Sequence, residues 1–172
     1  HKAAVKLHTM LDVKTNIPTF IFVTSGAVHE LSLLDEFPIE EGSYYLLDKG
    51  YIDFEKLHRI HKAPAYFVVR AKENFAFVRL HSRPVDKKSG VKCDQTVRLK
   101  NKVVSLKYPN ELRRVKYYDR DKNVELVFMT NNFEISPIEI AGLYKYRWKI
   151  ELFFKWIKQH LKVKSFWGYS LN

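Results

Sequence analysis

The sequence predicts an α/β fold carrying an inserted antiparallel sheet, and three observations lead there. Two short apolar runs, Tyr44 to Leu47 and Ala65 to Arg70, bracket a helical segment from about Phe54 to His61. Strand, helix and strand in that order imply a parallel crossover. From Asn74 to about Thr130 the chain turns to short β-type runs, and from Ser136 it takes up a helical period.

Along the chain, Val5, Leu7, Thr9 and Leu11 alternate with Lys6, His8, Met10 and Asp12, a period of two that suits a strand ended by the polar turn Lys14 to Asn16. Pro18 to Thr24 follows as a second strand, interrupted by Ser25-Gly26. Val28 to Phe37 reads as a short helix with Leu31 and Leu34 inward. The run Tyr44 to Leu47 ends in Asp48-Lys49-Gly50, the pattern of a buried central strand that delivers a carboxylate at its C-terminal end. Asp48 before Gly50 equally fits a plain turn residue. Asp53 is placed to cap the next helix, whose Leu57 and either Ile60 or His61 face inward.

In the β-rich stretch the runs are Phe75 to Leu80, Val103 to Leu106, Arg114 to Tyr118 and Val124 to Met129, separated by turns such as Asp86-Lys87-Lys88-Ser89-Gly90. Ser136, Pro137 and Glu139 then make a capping box, opening one helix that runs to about Leu161. The outcome is a single domain with its core at residues 1–73 and 131–172 and a β-rich insertion at about 74–130.

A chain of 172 residues with 46% hydrophobic content has enough apolar surface for one core. A formal net charge of +11 favours a polyanionic partner, nucleic acid ahead of membrane, because no apolar run approaches the about 18 residues a spanning helix needs. The single cysteine, Cys93, excludes an internal disulfide and a cysteine-rich zinc site, as in a reducing compartment. His58 and His61 lie three apart with no third ligand in view.

The last helix holds the strongest chemical signal. Tyr144, Arg147, Glu151 and Lys158 share one stripe roughly 60° wide at a helical turn of about 100° per residue. Glu151 is the only carboxylate from Leu143 to Lys164, among seven cations. Beside the stripe, Leu143, Ile150, Phe154, Ile157 and Leu161 make an inward seam. Two or three carboxylates brought together, Asp48 and Glu151 among them, would suit Mg²⁺ or Mn²⁺ and phosphodiester chemistry. Trp148, Trp156 and Trp167 on this basic helix suit stacking on unpaired bases. The plainer reading of Glu151 is a helix ion pair with Arg147 or Lys155.

These residues resemble a known family. The run from Tyr144 through Arg147 to Glu151, followed by Lys158, is similar to the tyrosine, arginine, glutamate, lysine signature of bacterial insertion-sequence DDE transposases of the IS-four-type branch, with the spacing matched at each step. Asp48-Lys49-Gly50-Tyr51 resembles that family's second-aspartate motif, and Val5 to His8 with Ile17-Pro18 resembles the strand pair preceding it. The resemblance implies a ribonuclease-H-like fold, a mixed sheet flanked by helices, with a β-rich insertion ahead of the glutamate helix. It implies Asp48 and Glu151 as catalytic ligands of Mg²⁺ or Mn²⁺, with Tyr144, Arg147 and Lys158 as contacts to DNA phosphates. The substrate would be double-stranded DNA, at transposon ends and target, cut by hydrolysis and joined by attack of the freed 3′-hydroxyl. A homodimer in the DNA complex and a bacterial cytoplasmic, nucleoid-associated location go with that reading.

The family's first aspartate lies on a core strand upstream of the segment matching Val5 to His8, so that strand and its aspartate are expected to be missing here. Asp12 stands at the wrong end of its strand to replace it. The expectation is a catalytic domain truncated at both ends and impaired in catalysis. A non-catalytic DNA-binding remnant is the first alternative. A ribonuclease-H-like nuclease is the second, against which the spaced tyrosine, arginine and lysine argue.

Overall fold

The computed structural model describes residues 5–12, 14–25, 35–71 and 76–160. The chain divides into two compact units, residues 1–37 with 146–172, and residues 38–145. In the first unit, β1 (Val5–Leu11) and β2 (Pro18–Ser25) pair as an antiparallel hairpin. The turn is fixed by Asp12, whose Oδ1 accepts the Lys14 N–H at 2.7 Å, and by Asn16 in the left-handed region at φ 60°. Asp12 is therefore occupied as a turn residue. The helix expected over Val28 to Phe37 falls for the most part outside the described residues.

The second unit is built on a six-stranded mixed sheet. After β3 (Tyr44–Leu47), a 3₁₀ turn at Lys49–Tyr51 leads into α1 (Phe54–Lys62) and back to β4 (Tyr66–Arg70), which pairs with β3 in parallel. This is the expected crossover. Asp53 caps α1 as anticipated, its Oδ1 accepting the N–H groups of Glu55 at 3.0 Å and Lys56 at 3.3 Å. The chain then forms β5 (Phe77–Arg83), β6 (Val91–Leu99), α2 (Lys102–Lys107), β7 (Leu112–Asp119) and β8 (Val124–Thr130). The spatial order is β3-β4-β8-β7-β6-β5, and the antiparallel pairing of β8 with β4 makes the β-rich segment continuous with the crossover strands.

Alternating side chains serve the two faces of this sheet. Phe67, Val69, Val97, Leu99, Val127 and Met129 meet Leu57 and Ile60 of α1 on one side. Val68, Val115 and Phe128 meet Ile140, Ala141 and Tyr144 of α3 (Pro137–Lys145) on the other. Each large side chain sequestered here, such as Phe67 and Phe128, stabilises the fold by about 1.5–3 kcal/mol. The result is an α/β layered sheet flanked by helices.

Four elements differ from expectation. The run Tyr44 to Leu47, expected as a buried central strand, is β3 at one end of the sheet order, with Tyr44 exposed and the rest half-buried, and Val91–Leu99, not expected as a strand, is β6. Val103 to Leu106, expected as a strand, is helical, because Asn101 Oδ1 accepts the N–H groups of Val103 at 2.9 Å and Val104 at 3.2 Å and so caps a helix. Only Val104 of that helix packs on the core, while Val103 and Leu106 are exposed. The single helix expected from Pro137 to about Leu161 is two: α3 ends at Lys145, and α4 (Trp148–His160) starts after a turn at Tyr146-Arg147. Three-residue hydrogen bonds mark the restart, Lys149 N–H to Tyr146 O at 3.0 Å and Ile150 N–H to Arg147 O at 3.2 Å. No proline or glycine sits at the interruption, and nothing in the local sequence explains it. The α4 segment belongs to the first unit.

Candidate nucleic-acid processing site

Asp48 stands at the C-terminal end of β3, half-buried, where it caps the 3₁₀ turn with its Oδ1 accepting the Lys49 N–H at 2.8 Å. The same oxygen accepts the Tyr144 hydroxyl at 3.3 Å across 96 residues of sequence. Tyr144 is held there by burial. Its side chain is 8% exposed, and its ring lies 4.9 Å from that of Phe128, which is wholly buried. The hydrophobic layer beneath the sheet thereby fixes the donor that faces the carboxylate.

The helix carrying Tyr144 is itself anchored from two sides. At its start Ser136 Oγ accepts the Glu139 N–H at 3.2 Å, and Glu139 Oε2 accepts the Ser136 N–H at 2.7 Å, the expected capping box. Those bonds from Ser136 hold the Glu139 carboxyl below the usual range. Just upstream, Asn132 Oδ1 accepts the N–H groups of Glu134 and Ile135. Arg113 donates to the carbonyl of Ile135 at 2.6 Å. Arg113 also makes two bonds to Asp94, at 2.9 and 2.8 Å, and both side chains are 3% exposed. Arg83 joins through Asp94 Oδ1 and Thr96 Oγ1. This buried network escapes sequence inspection because its partners lie 19 residues apart on adjacent strands.

Arg147 and Glu151 pair in the first unit at 2.5 Å, the i,i+4 geometry of the plainer reading. Glu151 is 54% exposed and Arg147 24%. Lys158 lies on α4, and its side chain falls outside the described residues. The four signature residues do not share one helix stripe: Tyr144 is on α3, Arg147 in the turn, Glu151 and Lys158 on α4. Ile150, Phe154 and Ile157 are half-buried, whereas Trp148, Leu152 and Trp156 are exposed in steps of four. Trp167 falls outside the described residues.

Oxygen donors such as Asp48 and Glu151 match a hard divalent cation in kind. Among the described residues no group of three His, Cys, Asp or Glu gathers. His58 and His61 are ring partners of Tyr108 instead, whose hydroxyl bonds His61 Nδ1 at 3.0 Å. Cys93 is half-buried, with its Sγ 3.1 Å from an Arg114 guanidinium nitrogen. No helix among the described residues is long and apolar enough to cross a membrane.

Comparison with known proteins gives the family. The sequence pattern of the family described as "Transposase DDE domain" matches residues 1–172. Over 98% of its length the chain is 36% identical to a Sinorhizobium fredii protein that bears a transposase name, covering 48% of that protein. It is 28% identical to a Geobacillus stearothermophilus protein named for an insertion-sequence transposase, over 99% of this chain and 45% of the other. A third protein so named, from Synechocystis, is 30% identical over 92% of this chain and 45% of its own length. The chain thus spans about half the length of the relatives it matches. With its mixed sheet, flanking helices and matched sequence, this chain belongs to the transposase DDE domain family.

Proposed function

We propose that this chain is a catalytic segment of an insertion-sequence transposase of the IS-four-type branch, acting on double-stranded DNA at transposon ends and target. The observation that carries the reading is the bond from Tyr144, the first residue of the signature, to Asp48, the carboxylate of the second-aspartate motif. Asp48 and Glu151 serve as metal-binding carboxylates, with Mg²⁺ or Mn²⁺ as the ion in keeping with the divalent-metal dependence of DDE domains. Arg147 and Lys158 hold DNA phosphates, as a planar fork and a point charge respectively. Tyr144 reaches the same DNA from its seat beside Asp48. Two copies pair in the DNA complex, in the cytoplasm of a bacterium and on its nucleoid.

A triad requires three carboxylates, and the resemblance supplies two within these 172 residues, so the chain alone binds DNA with cleavage impaired. The experiment is duplex binding by fluorescence anisotropy over a salt series, joined to a nicking assay with Mn²⁺. Binding should weaken in Arg147→Ala, with the salt slope reduced by about 1. Binding indifferent to Arg147 would sink the DNA role of the signature. Cleavage by the 172-residue chain that disappears in Glu151→Ala would sink the impairment.

A further inference from the structure

A strongly basic surface lies in the second unit. Residues 77–130 hold 14 Lys and Arg against 6 Asp and Glu, a net +8 out of the chain's +11. Five of these cations gather at the tips of two neighbouring hairpins: Lys87, Lys88 and Lys92 at the β5–β6 tip, and Arg120 and Lys122 at the β7–β8 tip. All five are exposed.

The two tips are tied into one surface. An Arg120 guanidinium nitrogen donates to the Lys88 carbonyl at 2.8 Å, and the Tyr118 N–H donates to the Gly90 carbonyl at 2.8 Å. Gly90 has φ 91°, and a Cβ there would stand 2.9 Å from the Tyr118 carbonyl oxygen, so glycine permits this closure. Lys92 Nζ sits 5.3 Å above the Tyr118 ring. Two of the three local acids are turned back on their own loops, Asp86 accepting the Lys88 N–H at 2.9 Å and the buried Asp119 accepting those of Asp121 and Lys122. Asp121, exposed, is the third.

Strand register places these tips at the same end of the sheet as Asp48. Leu47, just before Asp48, pairs with Val69, and Arg70 pairs with Phe128, so the part of β8 from Val124 to Val127 runs on past the ends of β3 and β4. Four residues amount to roughly 13 Å of overhang, and β8 lies two strand spacings, about 10 Å, from β3. A duplex is about this scale, so DNA lying across the Asp48 end of the sheet meets the basic tips with its backbone.

We infer that the paired β5–β6 and β7–β8 tips form a second DNA-backbone surface, binding phosphates flanking the site through Lys87, Lys88, Lys92, Arg120 and Lys122. It rests on the DNA-processing reading for its choice of polyanion. Contact of this kind is independent of base sequence and dependent on salt.

The test compares two triple variants of the full 172-residue chain with random-sequence duplex DNA. One removes tip charges, Lys87→Ala/Lys88→Ala/Lys122→Ala. The other removes as many at the opposite end of β6 and on α2, Lys100→Ala/Lys102→Ala/Lys107→Ala. The tip variant should lower the salt slope by about 2–3 and weaken binding about tenfold or more near physiological salt, with the control close to the parent. Equal losses in both would mean that only net charge matters and would overturn the surface. An unchanged tip variant would overturn it too, while duplex binding that still responds to Arg147→Ala leaves the proposed function standing. Loss of anionic-vesicle binding in the tip variant, with duplex binding intact, would overturn the surface in favour of a membrane partner. A parent chain that binds no duplex overturns both readings.

Discussion

Tyr144 does two jobs that a single substitution separates. Its ring fills the layer beneath the sheet and its hydroxyl faces Asp48. Tyr144→Phe keeps the ring and should cost about 1 kcal/mol or less, whereas Tyr144→Ala should cost about 3–5 kcal/mol by urea denaturation. Equal losses would mean that the hydroxyl, not the packing, holds this position. His61 gives a pH signature of its own. Burial, with His58 nearby, pushes its pKa below 6.5. Burial also pushes the Tyr108 phenol well above its ordinary value, keeping its hydroxyl protonated beside His61 Nδ1. A depressed folded-state pKa means that the unfolded chain binds the proton more readily, so His61 contributes stability above pH 6.5 that is lost as pH falls through its lowered value. Denaturation midpoints at pH 5 and pH 7.5 should differ less in His61→Gln than in the parent.

Among elements, the readable ones were those whose signals are local. Asp53 before α1 and Ser136 with Glu139 before α3 announce their helices within four residues, and the structure shows the bonds. Ser136→Ala should therefore cost about 1 kcal/mol of stability. The β6 strand is hard to read in the sequence because Lys92, Asp94, Gln95, Thr96 and Arg98 dilute its apolar period, and their reason for being there is tertiary. Arg113, Asp94 and Arg83 tie β5, β6 and β7 to the turn before α3, so the pairing that locates Tyr144 depends on them. Removing one partner leaves a buried charge uncompensated, and Asp94→Ala should lose about 3–5 kcal/mol in the same denaturation assay. A loss under about 1 kcal/mol would show that Arg113 finds water instead. In the other direction, β-branched Val103 and Val104 suggested a strand, and the Asn101 cap overrode that preference. At Tyr146-Arg147, where the chain restarts as α4, only the backbone bonds mark the change.

At the scale of the whole molecule, the charge is split: residues 77–130 are strongly basic, and the segment from Leu143 to Lys164 carries seven cations with Glu151 alone opposing them. Composition points toward a polyanionic partner, and the spaced Tyr144, Arg147, Glu151 and Lys158 point to the family. Neither exposed the arrangement that seats Tyr144 on Asp48, because that contact joins the end of β3 to α3 across 96 residues of sequence. The β5 strand shows how such a sheet avoids a different fate. It lies at one edge of the six-stranded sheet, and its ladder with β6 shifts register between Arg79 and His81. A kinked, cation-bearing rim presents a poor template for another chain's backbone, so this border protects a protein rich in β-structure from stacking into aggregates.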